Sequence, residues 1–169
     1  SGSAEPSPSV QASADPSSGV EPPFSCSFPQ SLEASGTDFR PVVLQYLRLG
    51  THEGYDRIVF EYDGDTPEVE IDLAEPPFLA NPSGMELSVA GSPVYRITLH
   101  GASKFDTETA TMPYSGPTTF EPGYEQIVQF TESGDFEATH SWYLGVNGGT
   151  CLRVFRLADP ARIVIDIQH

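Results

Sequence analysis

"RIVFEY" at residues 57–62 and "RIVIDI" at residues 162–167 carry one pattern in two distant parts of the chain. Each opens with arginine, continues with two β-branched residues and an apolar one, and places an acid before a last apolar residue. In an extended strand the side chains alternate between two faces. Ile58, Phe60 and Tyr62 therefore share a core-facing side, as do Ile163, Ile165 and Ile167. In each hexamer the arginine and the acid fall together on the other face. Arg57 and Glu61, like Arg162 and Asp166, are four residues apart along an extended chain, too far to pair with each other. Their partners are expected on neighbouring strands. The two hexamers read as similar strands, one in each sheet.

Working outward, "PVVLQYLRL" (41–49), "VYRITLHG" (94–101) and "CLRVFRL" (151–157) also read as strands. "EVEIDL" (68–73) alternates strictly, and three acids on one face would be costly to bury, so that face is expected to be wet. "DGDTP" (63–67) is turn chemistry, while "AEPPFLANPSG" (74–84) is a proline-rich connection with at most one helical turn. "MELSV" (85–89) reads as a strand, with "AGSP" as a hairpin-like break after it. Residues 124–146 predict a hairpin about Ser133, Gly134 and Asp135, with Phe136, Ala138, His140, Trp142 and Leu144 in one phase. About nine short strands and no amphipathic helix argue an all-β, two-sheet sandwich. One segment interrupts the rhythm. Residues 101–123 form an unusually long polar stretch, and such loops are often functional.

The balance of 24 acids against 8 bases gives a net charge of −16 over 169 residues. Nucleic acid is therefore a poor partner, because binding it rests on neutralising phosphates with lysine and arginine. No apolar run approaches the roughly 20 residues that span a bilayer. Of residues 1–23, seventeen are Ser, Pro, Ala or Gly, too little apolar surface to offset the entropy of ordering them. This stretch reads as a disordered tether ahead of one domain over 24–169. Cys26 and Cys151 flank nearly all of that domain. A disulfide and two buried free thiols compete as readings, and the exported-looking tether favours the disulfide.

A catalytic constellation is not found. "GASKF" is not a nucleophile elbow, and the strand-to-helix setting of that motif is absent. His52, His100, His140 and His169 lack metal-ligand spacing, and "DGD" offers too few oxygens for calcium. No enzymatic activity, cofactor or metal is expected.

"LRVFRLADPARIVIDI" (152–167) resembles the end of AMIN domains, with an arginine- and aromatic-bearing strand, a short proline turn, and arginine followed by aliphatics and aspartate. "GTHEGYDRIVFEY" (50–62) and "GDFEATHSWYLGV" (134–146) are similar to the AMIN-like domain proteins of actinobacteria. The resemblance implies an extracytoplasmic envelope protein, often lipid-anchored, with a two-sheet β-sandwich. It also implies a setting in which AMIN domains bind peptidoglycan. Arg162 and Asp166 match the fold signature; His52, Gly54, Tyr55, Asp56 and Arg57 match the upstream motif.

A non-catalytic, monomeric envelope-binding module is the resulting expectation. Exposed aromatics at Tyr55, Tyr114 and Tyr143 would stack on sugar rings, with Asp56 and Arg57 bonding to hydroxyl or acetamido groups. His52, Tyr55, Asp56 and Arg57 of the "THEGYDR" turn and Tyr114 of the long loop are expected to meet in one shallow groove at a rim of the sandwich. The alternative is a protein-interaction module that meets a basic or cation-bridged partner through its acidic face.

Overall fold

The structure, a computed structural model, describes residues 21–36 and 40–169. The expected tether lies outside the described residues as far as residue 20. Among the described residues there are strands and turns and no helix, and so no helix long and apolar enough to cross a membrane. The strands are β1 (Gln30–Leu32), β2 (Val42–His52), β3 (Tyr55–Asp63), β4 (Glu68–Ala74), β5 (Phe78–Leu79), β6 (Glu86–Leu87) and β7 (Val94–His100). They continue as β8 (Ala102–Ser103), β9 (Thr119–Phe120), β10 (Ile127–Phe136), β11 (Thr139–Val146), β12 (Leu152–Leu157) and β13 (Ala161–Gln168).

A six-stranded sheet runs β1-β4-β7-β11-β10-β9, a five-stranded sheet runs β12-β13-β3-β2-β8, and β5 pairs with β6 alone. The longer strands follow the runs of alternation. The extra ones are two or three residues long, too short to print a period in the sequence. "MELSV" shrinks to β6, which pairs with β5 rather than β7, so "AGSP" closes no hairpin.

The echoing hexamers are not in separate sheets. β3 and β13 are antiparallel neighbours, with Arg57 opposite Asp166 and Glu61 opposite Arg162. An arginine followed four residues later by an acid is self-complementary when one copy is reversed, so two such strands match charges along their whole length. Arg57, Asp166 and Glu61 find partners on adjacent strands, Glu61 at Arg48 of β2, whereas Arg162 donates to the Ala158 and Pro160 carbonyls of the preceding turn.

The inward residues of both large sheets form a single core, the arrangement of a sandwich. Its centre is aromatic: Phe130 and Trp142 stack with centroids 4.5 Å apart, and the Phe60 edge meets both at 6.0 and 6.1 Å. The outward acids of β4 are exposed as expected. The hairpin of residues 124–146 turns later than expected. β10 continues through Ser133 and Asp135 with a bulge, and the chain reverses at Glu137 and Ala138, whose φ values are 52° and 60°.

Cys26 and Cys151 form a disulfide. Beside it, Ser25 and Leu152 exchange backbone hydrogen bonds of 2.8 and 2.9 Å. The entry segment is thus stitched to β12 covalently and by its backbone.

Candidate functional site

The "THEGYDR" segment is the tip of the β2–β3 hairpin, where Gly54 supplies the positive φ of 94° that the reversal requires. Register sets His52 opposite Tyr55, and their rings stack with centroids 5.0 Å apart and planes 18° apart. Two residues along the same face is Arg57, whose guanidinium lies 5.1 Å from the Tyr55 ring centroid. Arg153 on β12 comes to the same ring, at 5.0 Å, and lies 4.2 Å from Phe24. Tyr55 is therefore the centre of an aromatic and cationic stack rather than a lone exposed ring.

Beneath the stack is Asp166 of β13. Arg57 and Arg153 flank it on the two neighbouring strands. Arg57 donates to its carboxylate from Nε at 2.7 Å and Nη2 at 2.8 Å, and Arg153 donates from Nε at 2.7 Å. The Asp166 side chain is 0% exposed, while those of Arg57 and Arg153 are 20% and 11% exposed. Charge-assisted bonds of this kind are shorter and stronger than neutral ones. Hydrogen bonding to Asp166 raises the Arg57 guanidinium further above its ordinary value, outweighing the lowering effect of burial. Above the arginines is Glu21, whose carboxylate oxygens lie 3.2 Å from Arg57 Nη2 and 3.2 Å from Arg153 Nη2. Among the described residues, contacts with the domain reach back to Glu21.

The other expected site residues go elsewhere. Asp56 points inward and is fully buried. It accepts from Thr51 Oγ1 at 2.6 Å and from the Gln126 and Ile127 amides at 2.8 and 3.0 Å, fastening the hairpin to the start of β10. Tyr114 is 8% exposed, with its hydroxyl donated to the Pro117 carbonyl at 2.6 Å. Tyr143 is buried too. The single groove is not formed, for a geometric reason. The long segment enters through β8 beside Val42 and Val43, at the opposite end of β2 from His52, about 30 Å away at strand spacing. The chain returns towards β2 just after this segment, where Tyr124 donates to the Leu49 carbonyl at 3.3 Å.

Sequence reading missed a second polar cluster. Glu132, Asp135 and His140 bring potential ligand atoms within 4.8 Å of one another. Lys104 Nζ, however, sits 2.8 Å from the Glu132 carboxylate, and the buried His140 ring nitrogen Nε2 lies 2.7 Å from it. The ammonium already supplies the cation, so this donor set suits an internal ion network better than a metal. Burial alone would raise the Glu132 carboxyl, but hydrogen bonds from His140 and Lys104 outweigh it and hold the group below its usual value. The residues come from β10, β11 and the position just after β8, and no local spacing announces them.

Across the outer face of the six-stranded sheet lies a depression of about 390 Å³, floored by Arg96, Thr98 and Ser141 and walled by Leu79–Pro82. Glu70 and Asp72 adjoin it through the same Arg96 and Thr98.

The family model of the AMIN-like domain matches residues 42–169. Comparison with curated proteins and with solved structures found no match. The matched span contains His52, Tyr55, Asp56, Arg57, Arg153 and Asp166, while Glu21, Phe24 and Cys26 precede it.

Proposed function

This chain belongs to the AMIN-like domain family, and on that premise we propose that it is a non-catalytic envelope module that binds peptidoglycan or an associated envelope glycan. Family membership suggests a module associated with the cell envelope, and together with the disulfide it suggests an extracytoplasmic location. The observation that carries the binding reading is the stack at the hairpin tip. His52 and Tyr55 offer adjoining rings at a rim, backed by two guanidiniums that the fold holds in place. Rings of this kind take the apolar face of a sugar, and the polar groups around them bond its substituents.

A catalytic role has less support. Both cysteines are consumed by the disulfide, and buried His140 is committed to Glu132. Ser133 and Ser141 are hydrogen bonded to each other at 2.7 Å.

The test is sedimentation with purified peptidoglycan. The wild-type chain should pellet with the wall, and Tyr55→Ala should reduce the bound fraction severalfold while melting within a few degrees of wild type. A wild-type chain that stays in the supernatant overturns the reading. The exposed acids Glu68, Glu70 and Asp72 favour a second reading, a surface for a basic or cation-bridged partner. Strong loss of binding with added salt would select it, because exposed charges are screened within about 8–10 Å at physiological ionic strength.

A further inference from the structure

We propose that Arg57 and Arg153 together form a binding site for a carboxylate-bearing ligand, which Glu21 occupies from within the same chain. The charge count is the first support. Two guanidiniums share the one buried carboxylate of Asp166, which leaves one positive charge to be met by a second anion, the role Glu21 fills. Asp166 takes the Nε hydrogens of both arginines and one from Arg57 Nη2, and Arg153 Nη1 donates to the Pro22 carbonyl at 3.5 Å, which leaves donors on the Nη2 groups of both arginines for a second acceptor. Glu21 meets those donors with one oxygen to each arginine. A planar carboxylate is thus the shape the pair already accepts.

The second support is the contrast in how the two carboxylates are held. Asp166 sits at 2.7–2.8 Å with no exposure, whereas Glu21 sits at 3.2 Å from each arginine and is 45% exposed. The inner acid is part of the scaffold and the outer acid is a loosely held occupant. The third support is provenance. Arg57, Arg153 and Asp166 lie inside the matched family span and on paired strands, while Glu21 precedes that span. Phe24, which covers Arg153, comes from the same short segment. The disulfide at Cys26 leashes this segment to Cys151, two residues from Arg153, so Glu21 competes at the high effective concentration of a short tether.

This inference rests on the envelope reading for its ligand: a free carboxylate of a wall peptide stem, arriving beside a sugar stacked on His52 and Tyr55. The probe is N-acetyl-D-alanyl-D-alanine, with its C-terminal amide and inorganic phosphate as comparisons. The full chain would be titrated and the backbone amide resonances of Phe24, Arg57 and Arg153 followed by NMR. Glu21→Gln should bind the dipeptide about two- to fivefold more tightly than wild type, the range expected for losing a half-exposed ion-pair competitor. Wild type and Glu21→Gln should both ignore the amide. Arg153→Gln should lose the response, and if it fails to fold by near-ultraviolet circular dichroism the Glu21→Gln comparison decides alone. Equal affinity of wild type and Glu21→Gln, equal binding of acid and amide, binding of phosphate only, or no binding would each overturn the proposal. Wall sedimentation that persists in any of those cases leaves the envelope reading standing; its loss in the wild type removes that reading instead.

Discussion

Two arginine–aspartate pairs occupy equivalent positions on the outer faces of the two large sheets, and they behave in opposite ways. On the five-stranded sheet Arg57 lies opposite Asp166, and on the six-stranded sheet Arg96 lies opposite Asp72. The first pair closes at 2.7 Å. In the second, Asp72 accepts from the neighbouring Leu73 amide, and Arg96 donates instead to the Tyr143 hydroxyl at 2.9 Å. Register is the same in kind, so register does not decide. Asp166 has lost its water beneath Arg57 and Arg153, and an ion stripped of water must find its counter-ions in the protein. Asp72 is exposed and keeps its hydration, and there an ion pair gains little over solvent.

The contrast is open to breakage. Asp166→Ala would leave two guanidiniums facing one another with little water. Unfolding in urea should show a loss of about 3–5 kcal/mol. A loss as small as that of a surface variant would mean the pair is not a unit. Opening the staple with a Cys26→Ser, Cys151→Ser double variant should cost about 2–4 kcal/mol, since the bridge closes a loop with a separation of 125 residues. It should also disturb the resonances of Arg153 while leaving those of Arg96 in place.

Acid tests the interior network against both faces. The Glu132 carboxyl is held below its unfolded value, so its contribution to stability is complete above about pH 4.5 and is lost as pH falls through the lower folded value. In that window the unfolded chain binds more protons than the folded one. Glu132→Gln should therefore flatten part of the fall in stability below pH 4.5, measured by urea midpoint against pH. An unchanged slope would place the acid sensitivity elsewhere. Asp72→Ala should shift stability by no more than about 0.5 kcal/mol at neutral pH. A larger loss would show that the wet face carries more than its hydration explains.

Much of the fold was legible because alternation with a period of two is a direct print of burial. Ile58, Phe60 and Tyr62 are buried as read, and the Glu68–Glu70–Asp72 face is exposed as read. The pairing of the two hexamers was misread as one strand in each sheet, although Arg57 and Asp166 fall opposite one another once one strand is reversed. Glycine misled. Gly134 looked like the turn of its hairpin, but it lies in β10 under the Asn81 carbonyl, where a Cβ would collide with backbone. A close approach between segments far apart in sequence leaves the same letter as a bend. Of the expected site, His52, Tyr55 and Arg57 do share a face, because neighbouring register placed them there. Asp56 alternates to the inside, and Tyr114 turns its ring into the core. Arg153 and Glu21 were missed, since nothing local ties residues 21, 57 and 153 together.

The position of β13 between β12 and β3 has a temporal meaning as well. As the chain emerges stepwise, β3 is complete on one side with β2, but its other edge waits for a strand that lies more than a hundred residues later. Contacts of such long range form slowly, on the scale of milliseconds to seconds. The five-stranded sheet is thus completed only when nearly all of the chain is available, although the β2–β3 and β10–β11 hairpins are local.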